Sequence, residues 1–210
     1  MAAIKNLDFD ILDIYEKFEL LDNENCVHLS DWLNQTYQLD ALDQRILDDL
    51  HADILLSSEA MNEEELKARM VGLLFYAARI DTHKKIRVFY ERPLSAVVRD
   101  IPLAVICDCM VAMPVKSLPK KPYFFLQDKK AKGEKKDPEA QMLIAMLIAQ
   151  SKNDDEKPLY GGYLIGTGWH FATLIGRDYC LSRKYEATNK ADLQQIVSIL
   201  HQLKALIINR

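Results

Sequence analysis

The sequence predicts an α/β (α+β) domain: a mixed central sheet flanked by helices, with a helical N-terminal extension. Three observations predict it. Residues 103–113 are apolar on both sides of the strand alternation, as in a central strand covered on both faces. Residues 138–150 form a helix that is apolar almost all round and must be buried. Residues 159–165, 169–175 and 179–185 read as strands separated by glycine turns, and a last amphipathic helix carries Leu193, Ile196, Val197, Leu200, Leu203 and Ile207 on one face.

The chain has 210 residues, enough for one sizeable domain with an extension. Residues 1–61 are predicted to be the extension, packed on a core spanning residues 62–210. Ile11, Ile14, Tyr15 and Phe18 recur at helical spacing. Ser30 is a good N-cap for a short helix carrying Trp32, Leu33 and Tyr37. Leu42, Ile46, Leu47 and Leu50 form a further apolar stripe, and Asn62 precedes a helix through Leu66, Met70, Leu73, Leu74 and Ala77.

After Asp81 the period changes. Ile86, Val88 and Tyr90 alternate with polar neighbours, Arg92-Pro93 interrupts, and residues 94–99 read as a second short strand. Residues 123–129 form the strand after the central one. Asp137 as N-cap with Pro138 at the first helical position marks the start of the buried helix.

Composition excludes several classes. About half the residues are apolar and the longest apolar run, 142–149, is too short to cross a bilayer. The start lacks an apolar secretory segment. Cys26, Cys107, Cys109 and Cys180 form no C-x-x-C pair, and no histidine stands at zinc-finger spacing from them, so they read as buried reduced thiols. Cys107 and Cys109, two apart on a strand, are expected on one face. These features predict a cytoplasmic protein. The net charge of −4 does not advertise nucleic acid, but Lys116, Lys120, Lys121, Lys129, Lys130, Lys132, Lys135 and Lys136 crowd one stretch of an otherwise acidic chain.

Asp108 is the only charged residue between Ile101 and Met113, and a lone carboxylate in an apolar strand needs a partner. Asp128 and Lys130 end the next strand. Two positions apart on a strand share a face, with Cβ atoms roughly 6–7 Å apart. If the strands are neighbours, Asp108 and Asp128 converge on one cation with Lys130 beside it. Two carboxylates suit Mg²⁺ (or Mn²⁺), which polarises a phosphate and acidifies a bound water. An ammonium orients that water or stabilises developing charge.

This constellation, Asp108 followed by Asp128-Lys129-Lys130 on the next strand and then a helix, resembles the core of the PD-(D/E)XK nuclease superfamily. The resemblance implies a restriction-endonuclease-like core over residues 62–175. It implies Asp108 and Asp128 as metal ligands, the Lys129 backbone carbonyl as a further ligand, and Lys130 as the catalytic lysine. Glu65, on the helix before the sheet, is similar to the extra acid of many members. Gln141 resembles the helix glutamine of the exonuclease branch. Three departures stand out: Ile106-Cys107 precedes Asp108 where a proline is usual, Asp128 is the shorter acid, and Ala145 stands four residues after Gln141 where a tyrosine is expected. Gln127-Asp128-Lys129 also permits a Q-x-K register on the opposite strand face.

The implied function is hydrolysis of phosphodiester bonds in DNA, or RNA, with Lys120, Lys121, Lys132, Lys135 and Lys136 gripping backbone phosphates. The alternative is a catalytically inactive nuclease-fold module that binds nucleic acid or a protein partner. The acidic helical N-terminus is where a protein partner or a second copy of the chain is expected to bind. The other reading of Glu65 is a capping box with Asn62. Asp108, Asp128, Lys130 and Gln141 likewise have structural readings, as a hydrogen-bonded acid, strand-end charges and a buried amide.

Overall fold

The computed structural model describes residues 9–23, 26–58, 60–82, 85–116, 118–129, 137–153 and 155–209. Helices α1 (Ile11–Phe18), α2 (Val27–Leu33) and α3 (Ala41–Ser57) come first, with the short strand β1 (Leu21–Asp22) after α1. A helix then runs through α4 (Glu63–Leu66), a π-helical segment (Lys67–Val71) and α5 (Gly72–Ala77). Strands β2 (Arg87–Val98), β3 (Ile101–Val115) and β4 (Leu118–Lys129) are followed by α6 (Pro138–Asn153). Strands β5 (Leu159–Ile165), β6 (Gly168–Ile175), β7 (Asp178–Leu181) and β8 (Tyr185–Glu186) lead to α7 (Lys190–Ile208).

All strands belong to one mixed sheet of order β1-β7-β6-β5-β4-β3-β2, with β8 paired to β6. β2, β3 and β4 form an antiparallel meander, and β5 returns parallel to β4 after α6. Helices cover both faces, as the sequence predicts. One face packs Trp32, Leu47, Leu66, Met70, Leu74, Leu193 and Leu200 against Cys109, Val111, Phe124, Leu126 and Phe171. The other packs α6 and α1 against Phe89, Val105, Cys107, Met110 and Phe125.

Each predicted landmark has a local cause. α6 begins at Pro138, and the Asp137 side chain accepts from the Glu139 N–H at 2.9 Å. Residues Met142 to Ala149 of α6 are buried, because the helix lies between the sheet, α1 and the arm made by the outer parts of β2 and β3. The N-terminal segment does more than pack on the core. β1 joins the sheet beside β7, and the Trp32 indole donates to the Ile199 carbonyl at 2.8 Å.

Four expectations are corrected. Ser30 lies inside α2, which starts at Val27 after Cys26, rather than capping it. Residues 87–98 form one strand rather than two, because β2 is the last strand of the sheet and an edge tolerates Pro93, which offers no N–H. Cys26 and Cys180 form a disulfide rather than standing as reduced thiols; only the fold brings together residues 154 apart in sequence. Cys107 and Cys109 are free and buried, but on opposite faces of the sheet.

The cysteine positions expose the feature that builds the site. In β3, Leu103, Val105 and Cys107 face α6, and then so do Met110 and Ala112. In β2, Phe89 faces α6, and then so do Leu94, Ala96 and Val98. Both strands lose step at the same level while their pairing holds, from Tyr90↔Cys109 to Arg92↔Cys107. The residues between these pairs are Glu91 and Asp108. Glu91 takes a left-handed backbone, φ 50°, unusual for a strand residue with a side chain. Each strand therefore carries one residue more than alternation requires, and both extra residues are acids.

Candidate metal-binding site

Asp128 continues the strand face of Phe124 and Leu126, which pack against the α4–α5 helix. Gln127 lies on the other side of the alternation and donates from Nε2 to the Ile106 carbonyl at 3.1 Å. Asp128 rather than Gln127 is thus the residue whose side chain lies on the Lys67 side of the sheet with that of Asp108. The Asp128 backbone N–H donates to Asp108 Oδ2 at 2.9 Å. The Asp108 and Asp128 carboxylates sit on neighbouring strands, 21% and 4% exposed.

The group that joins them is Lys67, which sequence reasoning missed. Its ammonium lies 3.7 Å from Asp108 Oδ1 and 3.9 Å from Asp128 Oδ1. It donates a hydrogen bond of 2.5 Å to Glu91 Oε1 and stands 3.6 Å from Glu64 Oε1. Lys67 opens the π-helical segment, whose wide turn is closed by the Gly72 N–H on the Lys67 carbonyl. Such turns recur at functional sites because they re-aim one side chain without ending the helix. A signal for Lys67 was present. It shares helical spacing with Val71, Leu74 and Ala78, all buried, so its stem had to run inward.

Burial works on these groups in opposite directions. It would lower the Lys67 pKa, but the Glu91 hydrogen bond and the charges of Asp128, Asp108 and Glu91 outweigh it, and the ammonium is held charged well above its ordinary range. Asp108 is raised by burial, an effect that the Asp128 N–H and the Lys67 charge only partly offset.

The remaining expected residues fall as follows. Glu65 closes a capping box with Asn62: its N–H donates to Asn62 Oδ1 at 2.9 Å, and its carboxylate accepts the Asn62 N–H at 2.8 Å. Glu64, one residue earlier, is the acid of that turn beside Lys67. The Lys129 carbonyl accepts the Gly166 N–H at 2.7 Å. Gln141 is half-buried on α6, which covers the opposite face of the sheet from Lys67. Lys120 and Lys121 are exposed near the start of β4, roughly 23 Å along the strand from Asp128. Lys130, Lys132, Lys135 and Lys136 lie outside the described residues.

The acids fit a hard divalent ion in part. Mg²⁺ is commonly held by one or two carboxylates, with water and phosphate completing its shell. Asp108 and Asp128 offer that pair, and their oxygens already face one cation, the Lys67 ammonium. Among the described residues no group of three or more His, Cys, Asp or Glu is placed to hold a metal. Among the described residues no helix is long and apolar enough to cross a membrane. No family model matches the chain, and no curated protein matches it either.

Proposed function

We propose that the chain is a metal-dependent nuclease hydrolysing phosphodiester bonds in DNA, or RNA. One observation carries this reading: carboxylate oxygens from Asp108 and Asp128, on adjacent strands, both lie within 4 Å of a single cationic nitrogen. The order of elements supports it too. A helix, three consecutive strands, a second helix and a further strand is the order the PD-(D/E)XK resemblance implies, and the chain has that order.

In this reading Asp108 and Asp128 hold Mg²⁺ or Mn²⁺, which when bound polarises the scissile phosphate and acidifies a water. The Asp128 N–H fixes one Asp108 oxygen and leaves the other facing the ion. Lys130, two residues beyond Asp128, orients the attacking water. Lys132, Lys135 and Lys136 follow directly in the chain and engage backbone phosphate, with Lys120 and Lys121 reaching phosphates away from the cut. Access to DNA goes with a cytoplasmic location, where the Cys26–Cys180 bond is subject to reduction.

The second reading is an inactive nuclease-fold module holding nucleic acid or a protein partner. It is favoured by the Lys67 ammonium, which occupies the point both carboxylates face. Cleavage assays on supercoiled plasmid and on single strands, with and without Mg²⁺, decide between the two. Mg²⁺-dependent cleavage by the parent, lost in Asp108→Asn and Lys130→Ala, is expected. Binding of nucleic acid with no cleavage of any substrate overturns the enzymatic reading in favour of the second.

A further inference from the structure

We propose that Lys67 is the resident counter-ion of the site: its ammonium holds the divalent ion's place and yields it by withdrawing onto Glu91 and Glu64. The inference rests on the metal-dependent reading above.

The distances already lean that way. Only the contact with Glu91 has hydrogen-bond length; those with Asp108, Asp128 and Glu64 are 3.6–3.9 Å. The ammonium is anchored to the outer acid while it still faces the inner pair. Charge requires some cation there. Four carboxylates surround one ammonium, and without it Asp108 and Asp128 would repel each other in a setting that water screens poorly. With it, three negative charges remain, so a dication can be added while Lys67 stays charged.

A path for withdrawal is built in. The acids grade from inside to outside: Asp128 at 4% exposure, Asp108 at 21%, Glu91 at 56% and Glu64 at 82%. Lys67 can move outward along this series without leaving a carboxylate. Both ends of the path are held by irregular backbone, the π-helical segment at Lys67 and the left-handed Glu91. Irregularities of this kind persist where the surrounding structure demands them.

Lys67 is thus a positioning residue that competes with the metal, and Glu91 is the acid that receives it. The test is Mn²⁺ affinity of the full chain, read by calorimetry and by the electron paramagnetic resonance of free Mn²⁺, with no nucleic acid present. Lys67→Met is expected to bind Mn²⁺ about tenfold more tightly than the parent. Glu91→Gln is expected to bind several-fold more weakly, because the ammonium loses its charged outer partner. Equal affinities for the parent and both variants overturn the role of Lys67 and leave the metal site standing. Absence of Mn²⁺ binding in the parent and in Lys67→Met alike removes the metal-dependent reading itself. Binding by Lys67→Met alone supports the inference.

Discussion

The backbone N–H of Asp128 donates to the carboxylate of Asp108 at 2.9 Å, so the first acid of the site also completes the hydrogen bonding of the strand beside it. Asp108 therefore has a structural duty beside the metal-binding one proposed for it, and substitutions separate them. Asn keeps an acceptor for the Asp128 N–H but loses the charge. Asp108→Asn is expected to keep the parent's urea midpoint while losing Mg²⁺-dependent cleavage. Asp108→Leu strands the buried N–H and is expected to cost about 1–3 kcal/mol as well.

Trp32 ties the N-terminal part to the rest of the molecule. It is fully buried, its indole donates to the Ile199 carbonyl, and its ring meets Phe124, Tyr160 and Phe171 edge-on. Trp32→Phe removes the indole's added hydrogen bond to that helix carbonyl and opens a gap beside the sheet. A loss of about 2–3 kcal/mol in urea unfolding is expected.

Gly161 lies where α6 presses on β5. A Cβ there would stand 2.7 Å from the sulfur atoms of both Met142 and Met146. Gly161→Ala is expected to destabilise the fold by about 1–3 kcal/mol. Because both obstacles are flexible side chains, the double variant Gly161→Ala with Met146→Ala is expected to be less destabilised than the sum of its parts, as a double-mutant cycle would show.

The disulfide Cys26–Cys180 fixes the start of α2 to β7. Reduction, or Cys26→Ser, is expected to lower stability by about 2–4 kcal/mol. Melting with and without dithiothreitol checks it, and Cys26→Ser should show no response to the reductant.

His201 stacks on Tyr37 at 3.6 Å and its Nδ1 lies 3.0 Å from the Ala78 carbonyl. Burial, with help from the charge of Lys204, lowers its pKa below the ordinary 6.5. His170, stacked on Tyr163, is lowered by burial as well. The unfolded chain then takes up protons first as the solution is acidified. Stability is full above about pH 6.5 and falls as the pH drops toward the folded-state values. The melting temperature should fall between about pH 7.5 and about pH 5.5, and His201→Gln should flatten part of that slope.

The sheet, the buried helix after Asp137-Pro138 and the final amphipathic helix were legible because each rests on a local pattern. Asp108 and Asp128 were legible for the same reason: one is a lone charge in an apolar strand and the other precedes a lysine at strand spacing. Lys67 was overlooked because, among Glu63, Glu64, Glu65 and Arg69 on the same helix, it reads as one more solvated charge, although its spacing with Val71, Leu74 and Ala78 points inward. Glu91 carried no signal, since nothing in Tyr90-Glu91-Arg92 marks a left-handed backbone. The pairing of Cys26 with Cys180 needs the whole sheet to bring the two residues together.

The twin irregularity at Glu91 and Asp108 has a consequence for chain length. Taking out both residues would leave inward and outward positions on the two strands where they are now, and the hairpin would close as an ordinary ladder. Taking out either one alone would put one strand's inward residues opposite its partner's outward ones. The scaffold is therefore complete without its two acids, and the proposed chemistry rides on a matched pair of insertions. A chain of this architecture whose hairpin is shorter by one residue on each side would keep the shape and lack the two acids that face Lys67.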